Sequence, residues 1–141
     1  MPQPLTGDTT RVIAGGAAKI LQNMEASLTI PTATSLRTIP VKILEENRML
    51  INSYLSKIKG GKISFTHIIG WAIVQATKLY PTMNNAYSEL DGKPVVIQRG
   101  SINLGLAIDV ERKDGSRNLM VPNIKNADQM DFKKFYNTYE D

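Results

Sequence analysis

Apolar residues in the first third of the chain recur at helical spacing. Ile13, Ala17, Ile20, Leu21, Met24 and Leu28 fall on one face of a helix, with Asp8, Thr9 or Thr10 as its candidate cap. Gly15-Gly16 weakens that helix locally, and Ile30-Pro31 ends it. Thr32 to Ile39 is β-branched and alternating, which predicts a strand. Pro40 suits the first turn of a second helix, whose stripe is Ile43, Leu44, Ile51, Tyr54, Leu55 and Ile58. Lys59-Gly60-Gly61 is its stop signal. Ser64 then caps a third helix that runs to about Leu79 and is closed by Tyr80-Pro81. Phe65, Ile68, Ile69, Trp71, Ala72, Ile73 and Val74 make that helix apolar nearly all round, so it is expected to be the most buried one.

The second half changes period. Asn84 to Gly92 reads as loop, with Asp91-Gly92 as a turn into a strand over Pro94 to Gln98. Ser101 to Asp109 is the most distinctive stretch: Leu104, Leu106 and Ile108 alternate with Asn103, Gly105, Ala107 and Asp109. One face of that strand is expected in the core. The other carries only small or polar groups, which leaves room for a backbone or a ligand. Asp114-Gly115 marks a hairpin turn, Leu119 to Val121 the returning strand, and Pro122 its end. Asn123 to Met130 reads as loop. Asp131 caps a last helix lined by Phe132, Phe135, Tyr136 and Tyr139. That helix reaches Asp141 without a capping signal, so the chain is expected to be truncated there. Residues 1–9 are polar and proline-containing, a linker or frayed end, and residues 10–141 read as one partial domain.

Composition narrows the chemistry. At 141 residues there is material for at most one domain, with a real core. No cysteine is present, which removes disulfides, thiolate nucleophiles and thiolate metal sites. His67 is the single histidine, so a multi-histidine metal centre is excluded. A net charge of +4, spread without a dense basic run, reads as a solvated surface and not as a nucleic-acid footprint. No apolar run approaches the ~20 residues of a membrane helix, and the N-terminus lacks a signal-peptide core. The expectation is a soluble, cytoplasmic chain with neither nucleic acid nor membrane as partner.

Three polar residues stand out from their surroundings. His67 lies in the first turn of an apolar helix, where a buried or interface histidine with a hydrogen-bond partner is the plain reading. Arg48 sits on a helix beside Glu45 and Glu46, as a solvated helix face would have it. Asp109 closes an apolar strand, where a carboxylate needs either water or a donor. Nothing in the spacing pairs His67 with a serine and an acid as a triad. Gly60-Gly61-Lys62 lacks the rest of a P-loop.

Longer stretches carry a resemblance. Asn103-Leu-Gly-Leu-Ala-Ile-Asp109 through Leu119-Met-Val-Pro-Asn-Ile-Lys125 resembles the central hairpin of the dihydrolipoyl acyltransferase catalytic domain. Lys62-Ile-Ser-Phe-Thr-His67 with its helix, then Tyr80-Pro-Thr-Met-Asn84, resembles the family's buried helix and exit. Ala18-Lys-Ile-Leu-Gln-Asn-Met-Glu-Ala-Ser27 with Ile30-Pro31 is similar to its opening helix. Ile30-Pro-Thr-Ala-Thr-Ser35, Arg37 and Gly60-Gly-Lys-Ile-Ser-Phe-Thr-His67 are similar to one branch, the multifunctional 2-oxoglutarate dehydrogenase of actinobacterial type. In that branch a succinyltransferase domain is fused ahead of a decarboxylase that uses thiamine diphosphate and magnesium.

The resemblance implies an α/β (α+β) fold of the chloramphenicol acetyltransferase kind, a mixed sheet flanked by helices, of which this chain is the N-terminal part. It implies a homotrimer, with coenzyme A and the dihydrolipoyl arm entering a channel between subunits from opposite sides. It also implies a lipoyl-bearing domain, dihydrolipoyl dehydrogenase and the other complex components as partners. By resemblance Arg48, Ser64 and Asp109 are CoA-contacting positions, and Thr32 and His67 fall in the acyl or lipoyl channel. Thr32 stands where the family often has histidine after the Ile-Pro pair. His67 is not the family's catalytic histidine. That motif, a histidine followed by an acid-glycine pair, and the downstream strand that supplies an oxyanion-stabilising hydroxyl are both absent here, so this chain alone is expected to be inactive. Two other readings compete: an assembly or docking module derived from the same fold, and an unrelated small α/β domain that binds an acidic ligand.

Overall fold

The computed structural model describes residues 2–111, 115 and 117–141. It divides into two compact units, Met1–Pro40 and Val41–Asp141.

The first unit is built on one helix, α1 (Gly16–Ser27). It begins later than Asp8, Thr9 or Thr10 would place it. Asp8 instead closes a local turn, accepting from the Leu5 N–H at 2.8 Å. Gly15 is the residue before the helix, with φ 61° and ψ −132°, a conformation open to glycine and strained for a side chain. The paired glycines therefore start the helix and do not interrupt it. The expected strand over Thr32 to Ile39 does not form, and the segment has no regular structure. β-branched alternation makes a strand only where a partner backbone completes the ladder, and none does so among the described residues of this unit.

The second unit opens with α2 (Lys42–Lys57), so Pro40 lies just outside its first turn. The helix ends where the glycine pair predicts, though Lys59 takes the left-handed conformation, at φ 51°, and the Gly60 N–H returns to Leu55 O at 2.8 Å. Asn52 on this helix reaches the next segment. Its amide donates to Ile63 O at 2.9 Å and accepts from Ile63 N–H at 2.8 Å, as a partner strand would. Gly61 leaves space for another element. A Cβ there would overlap the Tyr136 hydroxyl of the last helix.

Helix α3 (Phe65–Leu79) is capped by Ser64 as expected and closes at Tyr80. It buries His67, Gly70 and Val74, more than any other helix, yet Ile69 and Ile73 are half exposed. Gly70 brings the backbone close to its neighbours. A Cβ at that position would sit 3.2 Å from Leu104 Cδ2 and 3.3 Å from Phe135 Cζ. Helix α4 (Phe132–Glu140) is capped by Asp131, whose carboxylate accepts from the Lys134 N–H at 2.7 Å. Its Phe135 is fully buried beside Val74, Ile124 and Ala127, with Trp71, Leu104 and Leu106 packed around them.

Among the described residues the strands form three antiparallel pairs. Strands β1 (Ala86–Leu90) and β2 (Lys93–Ile97) make a hairpin where sequence alone reads a loop followed by one strand. Asp91 and Gly92 both have positive φ, 51° and 71°, the tight turn that matches strand twist. The Ser101 to Asp109 stretch is two short strands, β3 (Leu104–Gly105) and β4 (Ile108–Glu111). β4 pairs with β5 (Arg117–Met120), and β3 pairs with β6 (Asn123–Ile124), a segment read as loop from sequence. Both ladders keep one register, with Ile108 opposite Met120 and Leu104 opposite Ile124. The gap falls opposite Pro122, whose carbonyl accepts from the Leu106 N–H at 3.0 Å but which has no N–H to return. Pro122 thus interrupts the hairpin and does not end it. Of the three leucine-type positions, Leu104 and Leu106 pack on the core, while Ile108, beyond the gap, is 42% exposed. Gly115 has φ 77°, as a turn glycine should, and its expected partner Asp114 lies outside the described residues. After β6 a single-turn helix, Ala127–Gln129, leads into Asp131.

Candidate functional site

The N-terminus of α3 concentrates polar groups in an otherwise apolar setting. Ser64 is held in extended conformation at φ −92° and ψ 166°. Its Oγ accepts from the His67 N–H at 3.2 Å, and its own N–H donates to His67 Nδ1 at 3.1 Å. This is a capping box in which an imidazole takes the place usually held by Glu or Gln. One residue back along the chain, Asn52 grips Ile63. Ser64 is therefore fixed from both sides, and among the described residues its hydroxyl proton has no acceptor.

Arg48 reaches the same corner from α2. Its guanidinium carbon stands 4.1 Å above the Phe65 ring, a cation–π stack. The side chain is half-buried, which sets aside the solvated-face reading suggested by Glu45 and Glu46. Its Nε is shut off from water and has no acceptor among the described residues. Leaving such a donor unpaired costs about 1–3 kcal/mol, so the corner is short of negative charge.

His67 is 2% exposed. Accepting at Nδ1 requires a lone pair there, which places the ring proton on Nε2. Nε2 lies 2.8 Å from Glu140 Oε1, but the pair is not aligned as a hydrogen bond. The edges of two α4 rings close on the imidazole: Tyr136 at 4.9 Å and 81°, Tyr139 at 4.3 Å and 88°. With one nitrogen engaged and the ring walled in, His67 does not face open space.

Asp109 lies on the hairpin and has a different partner. Both Arg117 Nη2, at 2.6 Å, and Arg117 Nε, at 2.8 Å, meet Asp109 Oδ2. Arg117 is diagonal to Asp109 across the ladder, opposite Glu111, so both side chains share one face. Thr32 belongs to the N-terminal unit, on exposed irregular backbone. Of the residues singled out from sequence, the fold thus brings Arg48 to the Phe65 ring next to Ser64, and ties Ser64 to His67. It gives Asp109 to Arg117.

Asn52 and Arg117 are not legible as partners in the sequence. Asn52 falls off the apolar stripe of α2, and only the fold puts Ile63 beside it. Arg117 becomes visible only once the hairpin register is known. Among the described residues no group of three or more His, Asp or Glu side chains is placed to hold a metal ion, and no helix is long and apolar enough to cross a membrane.

A family model for the 2-oxoacid dehydrogenases acyltransferase (catalytic domain) matches residues 6–141. The multifunctional 2-oxoglutarate metabolism enzyme of Mycolicibacterium vanbaalenii is 53% identical over 134 residues, covering 95% of this chain and 11% of that protein. The protein of the same description from a Mycobacterium species (strain JLS) is 52% identical over the same length. This chain therefore spans about a tenth of the curated relatives it matches. Among solved structures, a probable dihydrolipoamide acetyltransferase from Listeria monocytogenes superposes with a TM-score of 0.77 at 26% identity, covering 96% of this chain and 55% of that one. The Azotobacter vinelandii dihydrolipoamide acetyltransferase shares the fold, with a TM-score of 0.73 at 22% identity over 99% of this chain and 58% of that one.

Proposed function

Because the chain belongs to the family of 2-oxoacid dehydrogenase acyltransferase catalytic domains, we propose that it is part of a dihydrolipoyl succinyltransferase domain of a 2-oxoglutarate dehydrogenase. In the complete domain, succinyl passes between a dihydrolipoyl arm and coenzyme A. The identity to multifunctional 2-oxoglutarate metabolism enzymes supports succinyl as the group carried. The single observation that carries the CoA side is the corner at the start of α3. There an arginine whose Nε has no acceptor among the described residues stacks on Phe65, the chain neighbour of a rigidly held serine whose proton has none either. Such a donor-rich pair suits a ligand bearing phosphates and amide carbonyls.

Transfer requires the CoA thiol to lose its proton, its thiolate to attack the succinyl thioester carbon, and the dihydrolipoyl thiolate to leave and take up a proton. The residues of this chain bind and orient. They do not supply the base, because His67 has Nδ1 engaged and its ring enclosed. On this proposal the chain by itself has no transfer activity. Asp109 and Thr32 belong to the proposed site through the family likeness, as CoA contact and channel residue respectively. A homotrimer, a lipoyl-bearing domain and dihydrolipoyl dehydrogenase complete the proposed assembly in the cytoplasm. Thiamine diphosphate and magnesium would serve a fused decarboxylase and call on no residue here.

The test is succinyl transfer from succinyl-CoA to dihydrolipoamide. The full-length protein should catalyse it, and Arg48→Ala should raise the KM for succinyl-CoA about tenfold or more, the loss of one charge-assisted contact. The 141-residue chain should stay at background. A full-length protein that transfers no succinyl would make the domain an assembly module instead.

A further inference from the structure

We infer that His67 is a positioning residue for the thioester substrate: it sets the orientation of Ser64 and transmits to it the placement of α4. The inference rests on the proposed CoA contact at Ser64. Five contacts converge on His67. Its Nδ1 takes the Ser64 N–H at 3.1 Å, and its own backbone N–H fills one lone pair of Ser64 Oγ at 3.2 Å. Those two bonds fix both the backbone and the rotamer of Ser64, and they turn the hydroxyl proton away from the helix. The ring is in turn packed in T-shaped contacts against Tyr136 and Tyr139, and its Nε2 lies 2.8 Å from Glu140 Oε1. All three residues lie on α4. Gly61, shortly before the cap, is also pressed against Tyr136. The start of α3 is thus registered against the end of α4 through one buried side chain.

Helix capping alone does not call for this arrangement. Glu or Gln, the usual residue at this position of a capping box, would return the Ser64 N–H bond without a ring to pack on α4. A buried imidazole instead costs the desolvation of two ring nitrogens. What it adds is a rigid link between two elements, and rigidity at a binding residue lowers the entropy lost when substrate docks.

The experiment compares four variants of the full-length protein in the succinyl-CoA to dihydrolipoamide assay, with melting temperature alongside. Ser64→Ala should raise the KM for succinyl-CoA at least fivefold. His67→Ala should raise it to a similar extent while kcat stays within twofold, since His67 touches no reacting atom. His67→Gln keeps an acceptor for the Ser64 N–H but has no ring to pack on α4, so it should recover only part of the KM. His67→Leu fills the space without an acceptor and should behave as His67→Ala, so it serves if the alanine variant does not fold. If Ser64→Ala leaves KM unchanged, the CoA contact at Ser64 fails and the positioning role falls with it. If Ser64→Ala raises KM but His67→Ala and His67→Leu lower only the melting temperature, the positioning role alone is overturned. A His67→Gln enzyme with the parent KM overturns the link to α4, because the cap alone would then suffice.

Discussion

Asp109 offers the sharpest separation of binding from stability. Replacing it with Asn keeps the shape and removes the charge that meets Arg117 at 2.6 and 2.8 Å. The Arg117 and Asp109 side chains are 65% and 48% exposed, so water screens the interaction and its loss should cost only about 0.2–1 kcal/mol of stability. In the full-length protein the melting temperature should therefore move by no more than a few degrees. If the carboxylate also accepts a hydrogen bond from CoA, that bond is charge-assisted and worth about 1.5–3 kcal/mol. At about 1.4 kcal/mol per tenfold, CoA would bind roughly 10- to 150-fold more weakly. Arg117→Gln supplies the control. It breaks the same ion pair and should match the stability loss, yet it leaves the carboxylate in place and should change CoA affinity less than threefold. Titration calorimetry with CoA and thermal unfolding, run on both variants, give the two numbers. A Kd for Asp109→Asn within twofold of the parent would refute the ligand assignment and leave Asp109 as one half of a cross-strand ion pair.

Two further expectations concern the scaffold. Phe135→Ala should destabilise the Val41–Asp141 unit by about 3–5 kcal/mol, because Phe135 is fully buried and only five apolar side chains are buried among the described residues. Denaturant unfolding checks this, and a loss below about 1 kcal/mol would show that the core does not centre on that ring. Asn52→Ala strands the N–H and C=O of Ile63 and should cost about 1–3 kcal/mol. Hydrogen exchange at the Ile63 amide should accelerate with it, and unchanged protection would mean that another group satisfies that backbone.

Much of the framework is local and can be read from the order of the residues. Helix ends are short-range events: Ser64 and Asp131 cap because a side-chain oxygen reaches an N–H three residues on. The tight turn at Asp91-Gly92 and the hairpin centred near Gly115 follow from residues that tolerate positive φ. The departures from expectation share one cause. Thr32 to Ile39 has strand propensity without a ladder partner in its unit, whereas Ala86 to Leu90 and Asn123–Ile124 are strands because a partner exists. Pairing is a long-range property that propensity does not encode.

The site divides along the same line. Residue types and family likeness point to Arg48, Ser64, His67 and Asp109 from the chain alone. Only packing decides what each one meets. Arg48 reads as solvated beside Glu45 and Glu46, but α2 and α3 come together and lay it over Phe65. His67 reads as a generic core histidine, but α4 supplies two ring edges and a carboxylate. Asp109 has Arg112, Lys113 and Arg117 within eight residues along the chain, and the hairpin register sets Arg117 diagonally across from it. The sequence by itself determined which groups were available and where helices and turns begin, because those depend on neighbours within a few residues. The tertiary structure decided their partners, because hydrogen bonds and ion pairs act over a few ångströms and those distances exist only after the chain has closed on itself.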